Sequence, residues 1–185
     1  MTELALHILD IANNSTRAEA KTVTIKVFAD VEKDELYISV SDDGKGMSKE
    51  LLASVTDPFS TTRKTRKVGL GIPLFKQASE MSGGTFSIES VLGKGTTTTA
   101  TFKLSDIDRV PLGDLASTMT TLIGGAPETD FELYYAVNGR EYEFSTVEVR
   151  EVLGEDVPLG EPEVIAYIGE MLAENIENIN GGITI

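Results

Sequence analysis

The 185 residues include no cysteine, a single histidine and no apolar run near the roughly 20 residues that span a bilayer. Without cysteine the chain has no disulfide, zinc–thiolate site or iron–sulfur cluster of its own, which fits a cytoplasmic protein. No basic-then-apolar leader opens the chain, and no membrane partner is expected. Positive charge is also scarce. There are 16 Lys and Arg against 30 Asp and Glu, a formal net charge of −14. Nucleic acid is therefore not expected as a partner, since broad binding needs cations that displace counterions from phosphates. The 41% hydrophobic and 25% charged content is that of a folded chain large enough to bury a core.

The scarcity of cations is uneven. Residues 1–105 carry 13 charges of each sign, whereas residues 106–185 carry Arg109, Arg140 and Arg150 against 17 acidic side chains. All of the net charge falls after residue 105. The expectation is two modules, 1–105 and an acidic α+β module at 106–185, joined near Leu104 to Pro111.

Periodicity supplies the elements. Leu4, His7, Ile8, Ile11 and Ala12 recur at helical spacing and predict a helix over 3–13. Alternation over Thr22 to Val27 and an apolar run from Leu36 to Val40 predict two strands. Ser48 is placed to cap a short helix from Lys49 to Val55. Residues 57–69 read as a polar, basic, irregular stretch. A helix follows from Leu70 to Met81, with Pro73 tolerable in its first turn. Thr85 to Val91 and Thr96 to Leu104 form a hairpin around Gly93 and Gly95. In the acidic module a helix is expected over Pro111 to Leu122. A hairpin is expected about Asn138-Gly139, then a helix opened by Ser145 with Glu148 in capping-box spacing. The last helix starts at Pro162 and stops at Gly181.

Three glycine-bearing segments suggest chemistry. Asp42-Asp43-Gly44-Lys45-Gly46-Met47 leaves a strand, where a carboxylate can accept from an exocyclic amine and glycines let backbone approach a ring. Gly69-Leu70-Gly71 opens a helix, whose free amides favour phosphate. Gly93-Lys94-Gly95-Thr96 sits in a hairpin. Each alone is also an ordinary turn. Asp10 and Asn14 share one face of the first helix. Asn14 offers a neutral oxygen of the kind Mg²⁺ accepts, and Asp10 could orient a hydroxyl or water. His7, on a similar face, reads as a packing histidine rather than a phosphoacceptor. Tyr134, Tyr135 and Tyr142 either face a partner or pack the hairpin on the last helix.

In their order these segments resemble the GHKL ATP-binding superfamily, which includes DNA gyrase, heat-shock chaperone ATPases, MutL-type proteins and histidine kinases. The likeness is nearest to the histidine-kinase catalytic domain. Leu9 to Arg17 is similar to the family's N box, Val40 to Met47 to its first glycine box and Asp57 to Arg63 to its F box. Gly69 to Ile72 is similar to its second glycine box, and Gly93 to Thr96 to its closing glycine–threonine pair. The resemblance implies an α/β (α+β) two-layer sandwich, a mixed and mostly antiparallel sheet with helices on one face. It implies ATP or ADP and Mg²⁺ as cofactors, with Asn14 on the metal. Asp42 would take the adenine amine with Thr96 beside it through a water. Gly44, Gly46 and Met47 would lie against the base, and Arg17 near the phosphates. Gly69, Leu70 and Gly71 would present phosphate amides. Phe59 and the basic stretch Arg63-Lys64-Thr65-Arg66-Lys67 would form a mobile lid, and Thr61 and Thr62 would also bind the nucleotide.

The functional expectation is a Mg-ATP-binding regulatory protein. The helix that carries the motif resembling the N box begins at residue 3, so no phosphoacceptor helices of its own are expected. The resemblance to stand-alone anti-sigma-type kinases then implies phosphorylation of a partner protein, bound through the acidic module, with Asp10 assisting. Hydrolysing branches of the superfamily carry Glu where Asp10 stands, so a slow ATPase is an alternative. Over both segments the chain also resembles proteins that occur beside bacterial iron-hydrogenase and NADH-oxidising subunits. That implies a second alternative, a nucleotide-sensing accessory subunit of a larger complex with little catalysis.

Overall fold

The structure is a computed structural model that describes residues 3–56, 70–154 and 156–185. The N-terminal half contains α1 (Leu4–Arg17), β1 (Thr22–Asp30), β2 (Glu35–Asp42), α2 (Lys49–Val55), α3 (Gly71–Met81), β3 (Phe86–Val91) and β4 (Gly95–Lys103). It is followed by α4 (Leu115–Gly125), β5 (Asp130–Val137), β6 (Arg140–Ser145), α5 (Thr146–Leu153) and α6 (Pro162–Asn180). The strands form one sheet in the order β3-β4-β2-β1-β5-β6. β1 and β5 run parallel, and every other neighbouring pair is antiparallel.

Alternation along each strand decides which face is covered. Val23, Ile25, Val27 and Ala29 of β1 are buried, as are Leu36, Ile38 and Val40 of β2 and Phe131, Leu133, Tyr135 and Val137 of β5. Thr24, Lys26 and Tyr134 lie on the other face, where the Lys26 ammonium sits 5.7 Å from the Tyr134 ring centroid. The helix layer covers the buried face. In it α1 packs against both α3 and α4, and α4 against α6. The result is the expected two-layer α/β sandwich.

The charge boundary at residue 105 is not a gap in the packing. Val23 to Ala29 of β1 stand in parallel register with Phe131 to Val137 of β5. Ile8, Phe75, Met119 and Leu133 belong to one hydrophobic cluster. The acidic residues therefore decorate elements that extend the same sheet and helix layer.

Most local signals are realised. Ser48 accepts from the Leu51 amide at the start of α2. Asn138 and Gly139 take φ of 50° and 81°, the left-handed pair of a type I′ turn. Gly181, at φ 56°, ends α6. Ser145 caps α5, but through the Val147 amide. Two boundaries differ by four residues. α1 runs on to Arg17, its last turn steadied by the Thr16 hydroxyl donating to the Asn13 carbonyl at 2.9 Å. The helix expected from Pro111 starts only at Leu115, capped by Asp114, which accepts from the Ser117 amide. The carbonyls of Pro111 and Leu112 instead accept from the Leu4 and Ala5 amides at 2.9 and 2.8 Å, satisfying the free start of α1. Of the three tyrosines, two pack on the helix side and one does not. Tyr135 is buried and donates to Asn180 Oδ1 at 2.5 Å, Tyr142 is half-buried, and Tyr134 faces away from the helices.

Candidate functional site

The site forms where β2 ends beside the last turn of α1. Asp42 and Asp43 are adjacent and therefore point to opposite sides. Asp43 Oδ1 accepts from the Lys21 and Thr22 amides at 2.8 and 3.0 Å and ties down the start of β1. Asp42 turns the other way. Its Oδ2 accepts from the Ser15 hydroxyl at 2.5 Å, and its Oδ1 accepts from the Gly44 amide at 2.9 Å. Thr96 stands opposite Asp42 in the β2–β4 register.

Glycine makes this approach possible at two places. A Cβ on Gly95, whose φ is +117°, would sit 1.9 Å from the Asp42 carbonyl oxygen. A Cβ on Gly46, at φ +64°, would sit 2.1 Å from the Val91 oxygen. The loop is pinned to the β3–β4 hairpin by Ser90. Its hydroxyl accepts from the Met47 amide at 2.8 Å and lies 2.8 Å from the Thr96 hydroxyl.

These elements enclose a cavity of about 420 Å³. Its walls include Ile11, Val40, Met47, Leu51 and Ile72, with Asp42, Ser15, Thr96 and Thr98 as polar groups. Apolar walls with a few fixed polar groups suit a flat heteroaromatic ligand. Of the residues expected from sequence, Asn14, Arg17, Asp42, Gly46, Met47 and Thr96 line it together. Asn14 is half-buried, and its side-chain amide has no hydrogen-bond partner among the described residues.

Other expected residues stand nearby without lining the cavity. Gly44 packs on α1, where a Cβ would come within 2.8 Å of the Ala18 oxygen. Asp10 is exposed and borders Gly71, where a Cβ would come within 2.9 Å of the Asp10 Cβ. Leu70 is 58% exposed at the N-cap of α3, a helix start that no side chain caps among the described residues. Phe59, Thr61, Thr62, Arg63, Lys67 and Gly69 lie outside the described residues.

Ser15, Lys45, Ser90 and Thr98 are additions to the sequence reading. Ser15 follows Ile11 by four residues and so shares its inward face. Ser90 is placed by the hairpin register. Lys45 lines the cavity and pairs with Glu19. His7 is buried with its ring centroid 5.6 Å from that of Phe75, and burial lowers its pKa to about 4. It is a neutral packing group between α1 and α3.

Residues 2–106 match the family described as histidine kinase-, DNA gyrase B- and HSP90-like ATPases, and the chain belongs to that family. Among curated relatives, the sensor histidine kinase WalK of Bacillus subtilis is 38% identical over 88 residues, covering 45% of this chain and 14% of its own length. The sensor histidine kinase ZraS of Escherichia coli is 31% identical over 106 residues, 57% of this chain and 23% of its own. The chain thus spans less than a quarter of either relative. Among solved structures, the Aquifex aeolicus MutL ATPase domain complexed with ADP aligns with a TM-score of 0.50 at 16% identity. That alignment covers 83% of this chain and 69% of the other. It extends the likeness of fold beyond the family match. No described helix is long and apolar enough to cross a membrane.

Proposed function

We propose that the chain binds Mg-ATP in the cavity at the end of β2 and uses it to act on a partner protein. The observation that carries this reading is Asp42. It is a carboxylate fixed by Ser15 and Gly44 at the rim of an apolar cavity, with Thr96 opposite it in register. A group of that kind recognises the exocyclic amine of adenine, and the apolar walls take the ring. Phosphates would lie toward Arg17 and the start of α3, with Leu70 and Gly71, where amides and the helix dipole favour negative charge. The side-chain oxygen of Asn14, without a partner among the described residues, fits Mg²⁺, which keeps most of its shell for water and phosphate oxygens. When bound, the metal would screen the phosphate charge.

Transfer to a partner needs a group that receives a proton. Asp10, exposed one turn before Asn14 and beside Gly71, would accept it from a partner's serine hydroxyl as the γ-phosphoryl group leaves ATP for that oxygen and ADP is released. Labelled ATP added with a cell extract tests this step. Protein labelling that is lost in Asp10→Asn and Asn14→Ala supports it, and labelling identical in all three proteins refutes it.

A second reading is favoured by the shared sheet. β1 is flanked by β2, which ends at Asp42, and by β5, which belongs to the acidic half. Nucleotide occupancy would then govern docking of the acidic half onto a larger complex, with slow hydrolysis at most. Pull-downs with and without Mg-ATP distinguish the readings: nucleotide-dependent recovery without labelling favours docking. Phosphate release abolished by Asp10→Asn would identify the residual activity as hydrolysis.

A further inference from the structure

The groove bordered by β6, α5 and α6 has a volume of about 520 Å³. Tyr142, Val149, Leu153 and Val164 line it, together with Val152 and Tyr167, which remain 87% and 67% exposed. Large apolar side chains left to water around a concavity mark an interaction surface. Glu143, Glu148 and Glu163 also line the groove, and no Lys or Arg does so among the described residues. Among the described residues β6 is the edge of the sheet and pairs only with β5.

We propose that this groove docks a segment of a partner protein bearing an apolar stripe flanked by lysine or arginine. The carboxylates at the rim select the charge, and the tyrosines and valines select the stripe. A second copy of this chain is disfavoured as the occupant. A two-fold contact would set the same three glutamates against themselves, on molecules that each carry a net charge of −14. The inference takes from the docking reading above only that the acidic half meets a partner, and does not depend on the nucleotide cavity.

The test uses the full chain and a short, dye-labelled, helix-forming peptide with leucines on one face and lysines beside them, read by fluorescence anisotropy. A scrambled peptide of identical composition and a peptide with glutamate for lysine serve as controls. Both controls are expected to bind at least about tenfold more weakly. The Val152→Ser/Tyr167→Ser double variant, altered only at exposed positions, is expected to lose about tenfold in peptide affinity while its Mg-ATP affinity is unchanged. Equal binding of the scrambled peptide, or an unaltered double variant, would overturn the proposal. So would sedimentation showing a wild-type dimer that the double variant abolishes, since the groove would then belong to a second copy. Selective peptide binding that the double variant loses, in a wild type that binds no Mg-ATP, would refute the nucleotide reading and support this one.

Discussion

At Asp42 two donors, the Ser15 hydroxyl and the Gly44 amide, already hold the carboxylate before any ligand arrives. Such fixing lowers the ordering cost of recognition. His7 shows the reverse use of burial. Its imidazole has no hydrogen-bond partner at Nδ1 among the described residues, and burial holds its pKa near 4 against the usual 6.5. The unfolded chain therefore takes up this proton first. The contribution of His7 to stability is complete above pH 6.5 and is lost as the pH falls toward 4. At about 1.4 kcal/mol per tenfold change in proton affinity, the loss reaches at most about 3 kcal/mol. Denaturant midpoints measured between pH 7 and pH 4.5 are expected to fall more steeply for the wild type than for His7→Leu. Parallel slopes would show that His7 does not titrate on unfolding.

At the scale of elements, the β3–β4 hairpin and the Asp42–Met47 loop act as one unit, joined by Ser90 and by the close passage of Gly95. Gly95→Ala would place a methyl group within 1.9 Å of a backbone oxygen at a φ that alanine resists. The expected cost is about 2–4 kcal/mol, read as a lower denaturant midpoint, with weaker Mg-ATP binding as Asp42 shifts. An unchanged midpoint would mean that the two segments move independently. The legibility of elements followed the range of their signals. Ser48, Asn138-Gly139 and the Pro162–Gly181 pair act on their own turns, and each marked its element correctly. Pro111 resembled a helix start, yet α4 waits for Asp114 because the carbonyls of Pro111 and Leu112 serve the start of α1. Asp42 was legible because its glycine company is local. Ser15 and Ser90 were not, because their partners are fixed by packing and register between distant segments.

At the scale of the molecule, charge and packing divide the chain differently. All of the net charge lies after residue 105, yet β5 completes the register of β1, and α4 covers a flank of α1. The parallel β1–β5 pairing joins segments about a hundred residues apart, and no local pattern announces it. Leu115, Met119, Phe131 and Leu133 are each at most 2% exposed. Removing them would strip apolar partners from β1 and α1, at a cost of several kcal/mol. A chain cut after residue 105 is therefore expected to lose cooperative unfolding and its near-ultraviolet circular dichroism. A sharp, reversible transition in that fragment would show that the first half folds on its own.

The central claim, adenine recognition by Asp42, is tested most directly by calorimetric titration of Mg-ATP into the wild type and Asp42→Asn. Saturable heat is expected with the wild type and a loss of about 1–3 kcal/mol in the variant, roughly five- to 150-fold in Kd, with the circular dichroism unchanged. Equal affinities, or no binding by the wild type, would contradict the claim.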